Sequence, residues 1–348
     1  MGGSNNSMKA AICTGIKKVE LKEIDKPVIT DTEVLIKTKT VGVCGSDLHL
    51  FKGTHPFRHA PAILGHEIAG EVVEIGSKVT KVRVGDRVTV EPQVGCGHCE
   101  FCRQGLVSLC REKKVPGTPK WIGAFSEYFP AEESIVYPIA DDKSFEIGTL
   151  AEPFAVAIHA VNHAEHQKGS CVIIGGGSIG QLTLAAARSK GYSPVIVTDT
   201  QDFNRQFALD HGADYAFNPL NQDVAEEVKK LTDGKGADIA FVCAQAPGIL
   251  DQACDCVHKT GEICIIAMLV EKDLFYAYSI VLNELHVYGS MCYEPKDFKE
   301  AVDLINGGLP INDYITQEFH GLEDTQLALD TLDQKKENCV KVVIKVSE

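Results

Sequence analysis

The run from Ser170 to Thr200, SCVIIGGGSIGQLTLAAARSKGYSPVIVTDT, restricts the fold of this chain more than any other segment. An apolar stretch leads into three glycines, an Ala/Leu-rich helical stretch and a second apolar stretch. Further apolar runs, DIAFVCA and EICIIAM, are separated by helical stretches such as DVAEEVKKLTD. Strands that alternate with helices in this way predict a parallel, doubly wound sheet.

The glycines of this run form the pattern G-x-G-x-x-G between the predicted strand and helix. The first glycine allows a tight turn, the second lets the backbone approach a pyrophosphate, and the third allows close packing of helix on strand. Asp199 ends the next strand, about 20 residues after the motif, where a carboxylate binds ribose hydroxyls and repels a 2′-phosphate. The sequence therefore predicts NAD rather than NADP, bound by Gly175, Gly177, Ser178, Ile179, Gly180, Asp199 and Arg205.

A different pattern precedes this region. Up to about Val90, short β-like runs such as EVLIKTKTVGV, AGEVVEIG and DRVTVEP are broken by Gly, Pro and Asp, which predicts a compact, barrel-like all-β unit. After about Gly289 the chain returns to mixed elements and ends in the strand-like CVKVVIKV. A length of 348 residues is typical of two domains.

Charge and cysteine content narrow the class of protein. The formal net charge is −14, and such a surface repels phosphate backbones and anionic lipid, so we expect neither nucleic acid nor membrane as a partner. The 13 cysteines form an odd number in a long chain without a signal pattern, which favours reduced thiols and metal ligands over disulfides. We therefore expect a cytoplasmic protein, with residues 1–7 a polar leader or cloning remnant.

The segment CGHCEFCRQGLVSLC predicts a structural metal site. It contains Cys96, Cys99, Cys102 and Cys110, separated by two, two and seven residues. Four thiolates close in sequence complete a tetrahedral shell around Zn²⁺ and leave no open position. An iron–sulfur cluster uses the same ligand type, but the spacing and setting favour zinc.

The segment VGVCGSDLHL indicates a second metal site of another kind. Cys44 offers a thiolate, and His66 and Glu67 in ILGHEIAGEVV offer an imidazole and a carboxylate. Glu152, in LAEPFAVAIHA, offers another carboxylate just before Pro153. A shell of Cys, His and one carboxylate leaves a position for water or substrate, as catalytic zinc sites do.

Together these motifs resemble the zinc-dependent medium-chain alcohol and polyol dehydrogenases over nearly the whole chain, from about Met8. The resemblance rests on the segments GVCGSDLH, GHEIAGEVVEIG, GDRV, CGHCEFCRQGLVSLC, AEPFAVAIHA and GGGSIG. The resemblance implies a GroES-like β-barrel catalytic domain, residues 8–151 and 290–348, with a structural zinc lobe at about 93–112. It also implies an inserted Rossmann doubly wound parallel-sheet domain, residues 152–289, a cleft between the domains, and homodimers or homotetramers.

The resemblance also implies roles for single residues. Cys44, His66 and Glu152 would hold a catalytic zinc, with Glu67 an intermittent or water-mediated ligand, so each chain would bind two zinc ions. Asp47 would orient His66. Ser46 would take the proton of the substrate alcohol and pass it, through the cofactor ribose, to His49.

The implied reaction is the zinc- and NAD-dependent oxidation of a secondary alcohol to a ketone, and its reverse, on a small polyhydroxylated substrate. A sugar alcohol, a sugar acid or a cyclitol fits this class. Leu50, Met291 and Cys292 stand where sorbitol dehydrogenases carry polar or aromatic residues that face the polyol, which argues against sorbitol itself. The alternatives are an amino-alcohol (threonine-type) dehydrogenase and a zinc-ribbon or cofactor-sensing binding protein without turnover.

Three further features have open interpretations. Arg58 is suited to a sugar-acid carboxylate or is a solvated loop residue. Trp121 is suited to stacking on a sugar ring or to packing. His159, His163 and His166 lie at helical spacing, which we interpret as a polar helix face rather than a metal site.

Overall fold

The structure is a computed structural model, and it describes residues 6–166, 168–272, 274–334 and 338–347. Residues 1–5 of the predicted leader lie outside the described residues. Ser7 is already the first residue of the first strand.

The described residues form strands that we number in chain order. They are β1 (Ser7–Gly15), β2 (Lys18–Asp25), β3 (Glu33–Val43), β4 (Ala62–Ile63), β5 (Glu67–Ile75), β6 (Arg87–Val90), β7 (Tyr128–Glu132), β8 (Val136–Pro138), β9 (Cys171–Ile174), β10 (Val195–Thr198), β11 (Tyr215–Phe217), β12 (Ala237–Val242), β13 (Val257–Ile265), β14 (His286–Gly289), β15 (Ile315–His320) and β16 (Lys341–Lys345).

The α-helices are numbered in the same way. They are α1 (Gly45–Phe51), α2 (Glu100–Arg103), α3 (Phe145–Thr149), α4 (Ala151–His163), α5 (Ser178–Lys190), α6 (Asp202–Asp210), α7 (Val224–Leu231), α8 (Ile249–Cys256), α9 (Tyr278–Asn283), α10 (Pro295–Asn306) and α11 (Thr325–Gln334). Among the described residues, no helix has both the length and the apolar character required to cross a membrane.

The chain divides into two compact units. The first, the catalytic unit, contains residues Met1–Glu152 and Glu294–Glu348, and the second, the dinucleotide unit, contains Pro153–Tyr293. The catalytic unit holds a seven-stranded sheet in the order β15-β16-β3-β5-β6-β8, with β7 paired to β3, and a three-stranded sheet in the order β2-β1-β4. The predicted GroES-like, mainly β architecture of this unit is confirmed.

Strand β3 is the centre of the catalytic unit. It pairs antiparallel with β5, β7 and β16, and its burial is almost complete. Its residues Val34, Ile36, Val41 and Val43 lie in one apolar core with Phe125 and Phe129 from another part of the unit. Because Gly42 pairs with Glu67, this register also brings the end of β3 to the start of β5.

The dinucleotide unit is the predicted doubly wound sheet, which is confirmed. Its six strands are parallel and lie in the order β11-β10-β9-β12-β13-β14. Strand β9 is buried along its full length, and α5 follows it directly after the glycine turn. The turn therefore lies at the carboxyl end of β9, at the point where the strand order reverses.

Candidate active site

Cys44 lies where β3 ends and α1 begins. It is the N-cap of α1, and its Sγ accepts a hydrogen bond from the Ser46 backbone N–H at 3.5 Å. The Asp47 carboxylate accepts in return from the Cys44 backbone N–H at 3.2 Å. This reciprocal capping starts the helix, and it holds the thiol at a fixed place at the end of a buried strand.

Asp47 connects this loop to the segment that carries His66. Its carboxylate is fully buried, accepts from the Gly65 backbone N–H at 3.2 Å and lies 3.5 Å from Nδ1 of His66. Burial raises the pKa of the Asp47 carboxyl, but the neighbouring His66 and Arg58 outweigh burial and lower that pKa to about 2. An ionised Asp47 therefore faces one ring nitrogen of His66, which is the contact expected of a residue that orients a metal ligand.

The two segments bring three different ligand types together. One ligand atom each of Cys44, His66 and Glu67 lies within 4.8 Å of the other two. A thiolate, an imidazole and a carboxylate form a donor set that suits zinc. Gly42 is required beside them, because a Cβ at that position would lie 1.9 Å from Glu67 Oε2. The residues therefore fit a zinc ion with at least one position left open.

Glu152 occupies a different place from that of the three converging residues. It is buried in the first turn of α4, and its charge acts on Lys341 together with the charges of Glu67 and Cys44. Within the described residues, its carboxylate is not part of the group that lies within 4.8 Å. In this arrangement Glu67, rather than Glu152, is the carboxylate that forms a group with Cys44 and His66.

Lys341 is a site residue that sequence reasoning missed. It is only 3% exposed, and its Nζ donates to Glu67 Oε1 at 2.5 Å and to the Val43 carbonyl at 3.2 Å. Burial lowers the pKa of Lys341, but Glu67, Cys44 and Glu152 together outweigh burial and raise that pKa. The available signal was a lysine in the middle of the apolar strand CVKVVIKV, because a charge in a buried strand requires a partner.

Ser46 and His49, the predicted proton relay, lie on α1 with distinct partners. Ser46 Oγ accepts from Arg58 Nη2 at 2.9 Å, and Arg58 Nε donates to His55 Nε2 at 3.1 Å. His49 Nδ1 lies 3.1 Å from Thr54 Oγ1. Burial lowers the pKa of His49, and Lys52 lowers it further. His49 is therefore neutral near pH 7 and able to accept a proton.

Arg58 is thus not the solvated loop arginine of one interpretation. It is half-buried, and its guanidinium donates one hydrogen bond to Ser46 and one to His55. Both acceptors are neutral groups, and no carboxylate of the described residues forms an ion pair with it. The cation beside Ser46 therefore donates its hydrogen bonds to neutral groups, while its charge acts on the ionised Asp47.

The four predicted structural ligands also converge. The sulfur atoms of Cys96, Cys99, Cys102 and Cys110 lie within 4.8 Å of one another, and the thiols are free. Backbone N–H groups of Cys96 and Cys102 donate to the Sγ atoms of Cys110 and Cys99 at 3.3 and 3.4 Å. The set is closed and fits one tetrahedral zinc.

Glu294 fixes this cysteine lobe to the rest of the catalytic unit. Its carboxylate is buried and accepts from the Val107 backbone N–H at 2.5 Å and from Ser108 Oγ at 2.7 Å. Glu294 is also the N-cap of α10. The lobe and α10 are therefore held by the same carboxylate.

The glycine turn of the dinucleotide unit has the geometry its motif predicts. Gly175 has φ +100°, and a Cβ at Gly180 would lie 1.8 Å from the Gly175 carbonyl oxygen. A Cβ at Gly177, in contrast, would meet nothing within 4 Å. The buried Ser178 Oγ at the start of α5 has no hydrogen-bond partner among the described residues. Open space and an unpartnered hydroxyl at a helix N-terminus fit a phosphate group.

Asp199 follows β10 and approaches the turn. Its Oδ2 accepts from the Gly176 backbone N–H at 2.8 Å, and its Oδ1 accepts from the Gln201 backbone N–H at 2.8 Å. Arg205 Nη1 donates to the Asp199 carbonyl oxygen at 2.8 Å, and Arg205 Nη2 donates to the Asp202 carboxylate. Ile179, the remaining predicted residue, lies half-buried in the first turn of α5.

Two sequence interpretations are decided by packing. Trp121 Nε1 donates to the Pro130 carbonyl at 2.8 Å, and its ring lies 5.2 Å from that of Phe129, so it packs against the core. The interpretation of His159, His163 and His166 as one polar helix face is wrong. α4 ends at His163, so His166 lies in the loop after it, and His159 is buried at 4% exposure.

Comparison with known proteins agrees with this geometry. The alcohol dehydrogenase GroES-like domain family matches residues 30–141, and the zinc-binding dehydrogenase family matches residues 178–307. The chain is 34% identical to sorbitol dehydrogenase of Bacillus subtilis (strain 168), over 97% of each chain. It is 33% identical to L-threonine 3-dehydrogenase of Pyrococcus abyssi, over 94% of this chain and 95% of that protein.

A solved structure supports the same assignment. The crystal structure of 2R,3R-butanediol dehydrogenase from Bacillus subtilis has a TM-score of 0.89 and 30% identity, and it covers 98% of this chain and 100% of that one. The shared family, the zinc-suited donor sets and the dinucleotide turn all describe an oxidoreductase that acts on CH–OH groups. The chain belongs to the zinc-dependent medium-chain alcohol and polyol dehydrogenases.

Proposed function

We propose that this enzyme oxidises a secondary alcohol of a sugar alcohol, sugar acid or cyclitol to the ketone, with NAD as the acceptor, and also catalyses the reverse reaction. The observation that carries the proposal is the convergence of Cys44, His66 and Glu67 within 4.8 Å. We assign these residues, with Glu152, to a catalytic zinc, and the four lobe cysteines to a structural zinc. Bound there, zinc supplies the Lewis acidity that lowers the pKa of an alcohol, and the nicotinamide supplies the hydride acceptor.

The residues of the chain perform the remaining tasks. Asp47 holds His66 through the 3.5 Å contact, and Lys341 holds Glu67 in the buried ion pair. Ser46 accepts the proton of the substrate hydroxyl as its own hydroxyl proton is released toward His49. The hydrogen bond from Arg58 occupies one lone pair of Ser46 Oγ and thereby directs the other. His49, half-buried on the same helix, delivers the proton to solvent.

The preference for NAD rests on Asp199. Its carboxylate lies beside the glycine turn, where it accepts from Gly176. A carboxylate at this position binds ribose hydroxyls and repels a 2′-phosphate. We expect Asp199→Ala to weaken NAD binding and to bring the kcat/KM values for NAD and NADP closer together. An unchanged ratio of kcat/KM for NAD and NADP would remove Asp199 from this role.

Arg58 supports a sugar acid within the proposed substrate class, because it is a cation beside Ser46 whose two hydrogen bonds go to neutral acceptors. Arg58→Met should lower kcat/KM for aldonic acids more than for neutral polyols. An equal loss for both would restrict Arg58 to positioning Ser46.

A substrate screen tests the function. The zinc-replete enzyme is assayed for NAD and NADP reduction with sugar alcohols, aldonic acids, cyclitols and threonine, and Cys44→Ser is assayed in parallel. We expect turnover with a polyhydroxylated substrate, and we expect Cys44→Ser to lose turnover while keeping NAD binding. A preference for threonine would favour the amino-alcohol alternative. NAD binding with zinc bound but no turnover on any alcohol would favour a binding protein.

A further inference from the structure

A cluster of two imidazoles and a carboxylate lies in the dinucleotide unit, outside the residues assigned above. One ligand atom each of His166, Asp238 and His258 lies within 4.8 Å of the other two. His258 Nε2 lies 3.3 Å from Asp238 Oδ1, and the two histidine rings are 5.9 Å apart. The residues come from three segments: the loop after α4, the start of β12 and the start of β13.

Each of the three side chains is held at its other polar atom. His166 Nδ1 contacts Glu262 Oε1, and His258 Nδ1 contacts the Lys259 carbonyl. Asp238 Oδ2 accepts from the Ser170 backbone N–H at 2.7 Å and from Ser170 Oγ at 2.6 Å. These contacts leave His166 Nε2, His258 Nε2 and Asp238 Oδ1 for a shared ligand. Metal-binding histidines characteristically donate their second N–H to a carboxylate or a backbone carbonyl.

Glu262 fixes the loop after α4 through hydrogen bonds that require no ligand. This carboxylate is fully buried and accepts from the Glu165 backbone N–H at 3.0 Å and the His166 backbone N–H at 2.7 Å. It also accepts from Tyr288 Oη at 3.0 Å. His166 is therefore fixed by its backbone as well as by its ring. The three side chains remain half-buried, so an ion can reach them from solvent.

The cluster is separate from the dinucleotide turn. Asp238 and His258 are the second residues of parallel strands, whereas the glycine turn follows the carboxyl end of β9. The two edges of the sheet are separated by the length of these strands, about 10 Å or more. A ligand at the cluster would therefore leave the pyrophosphate position free.

We propose that His166, Asp238 and His258 form a third metal site, for a divalent transition ion of the zinc class. Two imidazole nitrogens and one carboxylate oxygen suit such an ion, whereas Ca²⁺ and Mg²⁺ prefer oxygen ligands alone. Three protein ligands leave a position for water. The ion would connect the loop after α4 to the amino edge of the sheet.

The test measures the number of zinc ions bound per chain of the full-length enzyme. Wild type, His166→Asn and His258→Asn are equilibrated with one zinc buffer, and zinc per chain is measured by atomic emission. His320→Asn, which removes an exposed histidine of the catalytic unit, is the matched control. We expect wild type and His320→Asn to bind one more equivalent than either ligand variant. Asp238→Asn should weaken binding of that equivalent at least about tenfold.

A second measurement needs no variant. Histidines of the wild type are modified with diethyl pyrocarbonate with and without zinc, and the sites are mapped by mass spectrometry. Zinc should protect His166 and His258 and leave His320 unprotected. Equal zinc content in wild type and the ligand variants, or no protection of His166 and His258, would overturn the proposal and leave only the 3.3 Å contact between His258 and Asp238.

Discussion

Lys341 and Glu67 form an ion pair in the interior of the catalytic unit, where their side chains are 3% and 0% exposed. The pair joins the C-terminal strand β16 to the start of β5, beside the thiol of Cys44. Glu67 therefore reaches the proposed metal position already neutralised by a partner. This explains how a carboxylate can lie in an apolar core next to a thiolate.

Removal of the lysine should leave a buried charge without a partner. We expect Lys341→Met to lower the free energy of unfolding by about 3–5 kcal/mol. Lys345→Met is the matched control on the same strand, since Lys345 pairs with Glu318 at 2.8 Å near the surface, and we expect a loss below about 1 kcal/mol. Adding Glu67→Gln to Lys341→Met should recover part of the loss. Urea denaturation measures these free energies of unfolding. Equal losses in Lys341→Met and Lys345→Met would contradict the prediction.

The glycine turn offers a paired experiment on folding and cofactor binding. Gly180→Ala places a Cβ 1.8 Å from the Gly175 carbonyl, so we expect a lower melting temperature and loss of NAD binding together. Gly177→Ala meets nothing within 4 Å, so we expect a normal melting temperature with NAD affinity reduced at least about tenfold. Thermal denaturation and calorimetric titration with NAD separate the two. Unchanged affinity in Gly177→Ala would place the pyrophosphate elsewhere.

The two proposed zinc sites of the catalytic unit should respond differently to loss of a thiol. Cys96→Ser breaks a closed shell that orders the lobe held by Glu294, so we expect lower thermal stability and one zinc fewer per chain. Cys44→Ser should also lose one zinc but keep a melting temperature closer to that of wild type. Thermal denaturation combined with zinc analysis tests the difference. If Cys96→Ser kept full stability, the lobe would have no structural role.

Glu91 makes stability depend on pH. Burial raises the pKa of its carboxyl from 4.5 to about 7, and the hydrogen bond from Tyr137 offsets only part of this. Between these values the folded chain holds a proton that the unfolded chain has lost, so the free energy of unfolding falls as pH rises through this window. Glu91→Gln should remove this fall in the free energy of unfolding, which amounts to about 3 kcal/mol between pH 4 and pH 8. Exposed Glu74→Gln is the control, and parallel pH profiles of wild type and Glu91→Gln would refute the prediction.

Much of the fold was predictable because its signals are local. The runs EVLIKTKTVGV and DIAFVCA correspond to β3 and β12, and the stretch DVAEEVKKLTD contains α7. The side chains of such runs alternate or recur with the period of one element, and the element forms wherever the period is satisfied. The placement of Cys44 as a helix cap was not predicted, because capping depends on the backbone conformation at the end of β3.

The chemistry of the sites divides in the same way. The sequence alone determined which residue types are available: four cysteines at short spacing, a Cys–His–carboxylate set, and three glycines between a strand and a helix. Only the tertiary structure decided that Lys341 pairs with a carboxylate 274 residues away, and that His166 faces Asp238 and His258 instead of His163. Such contacts depend on strand register and sheet order, which the whole core selects, and no spacing within one segment encodes them.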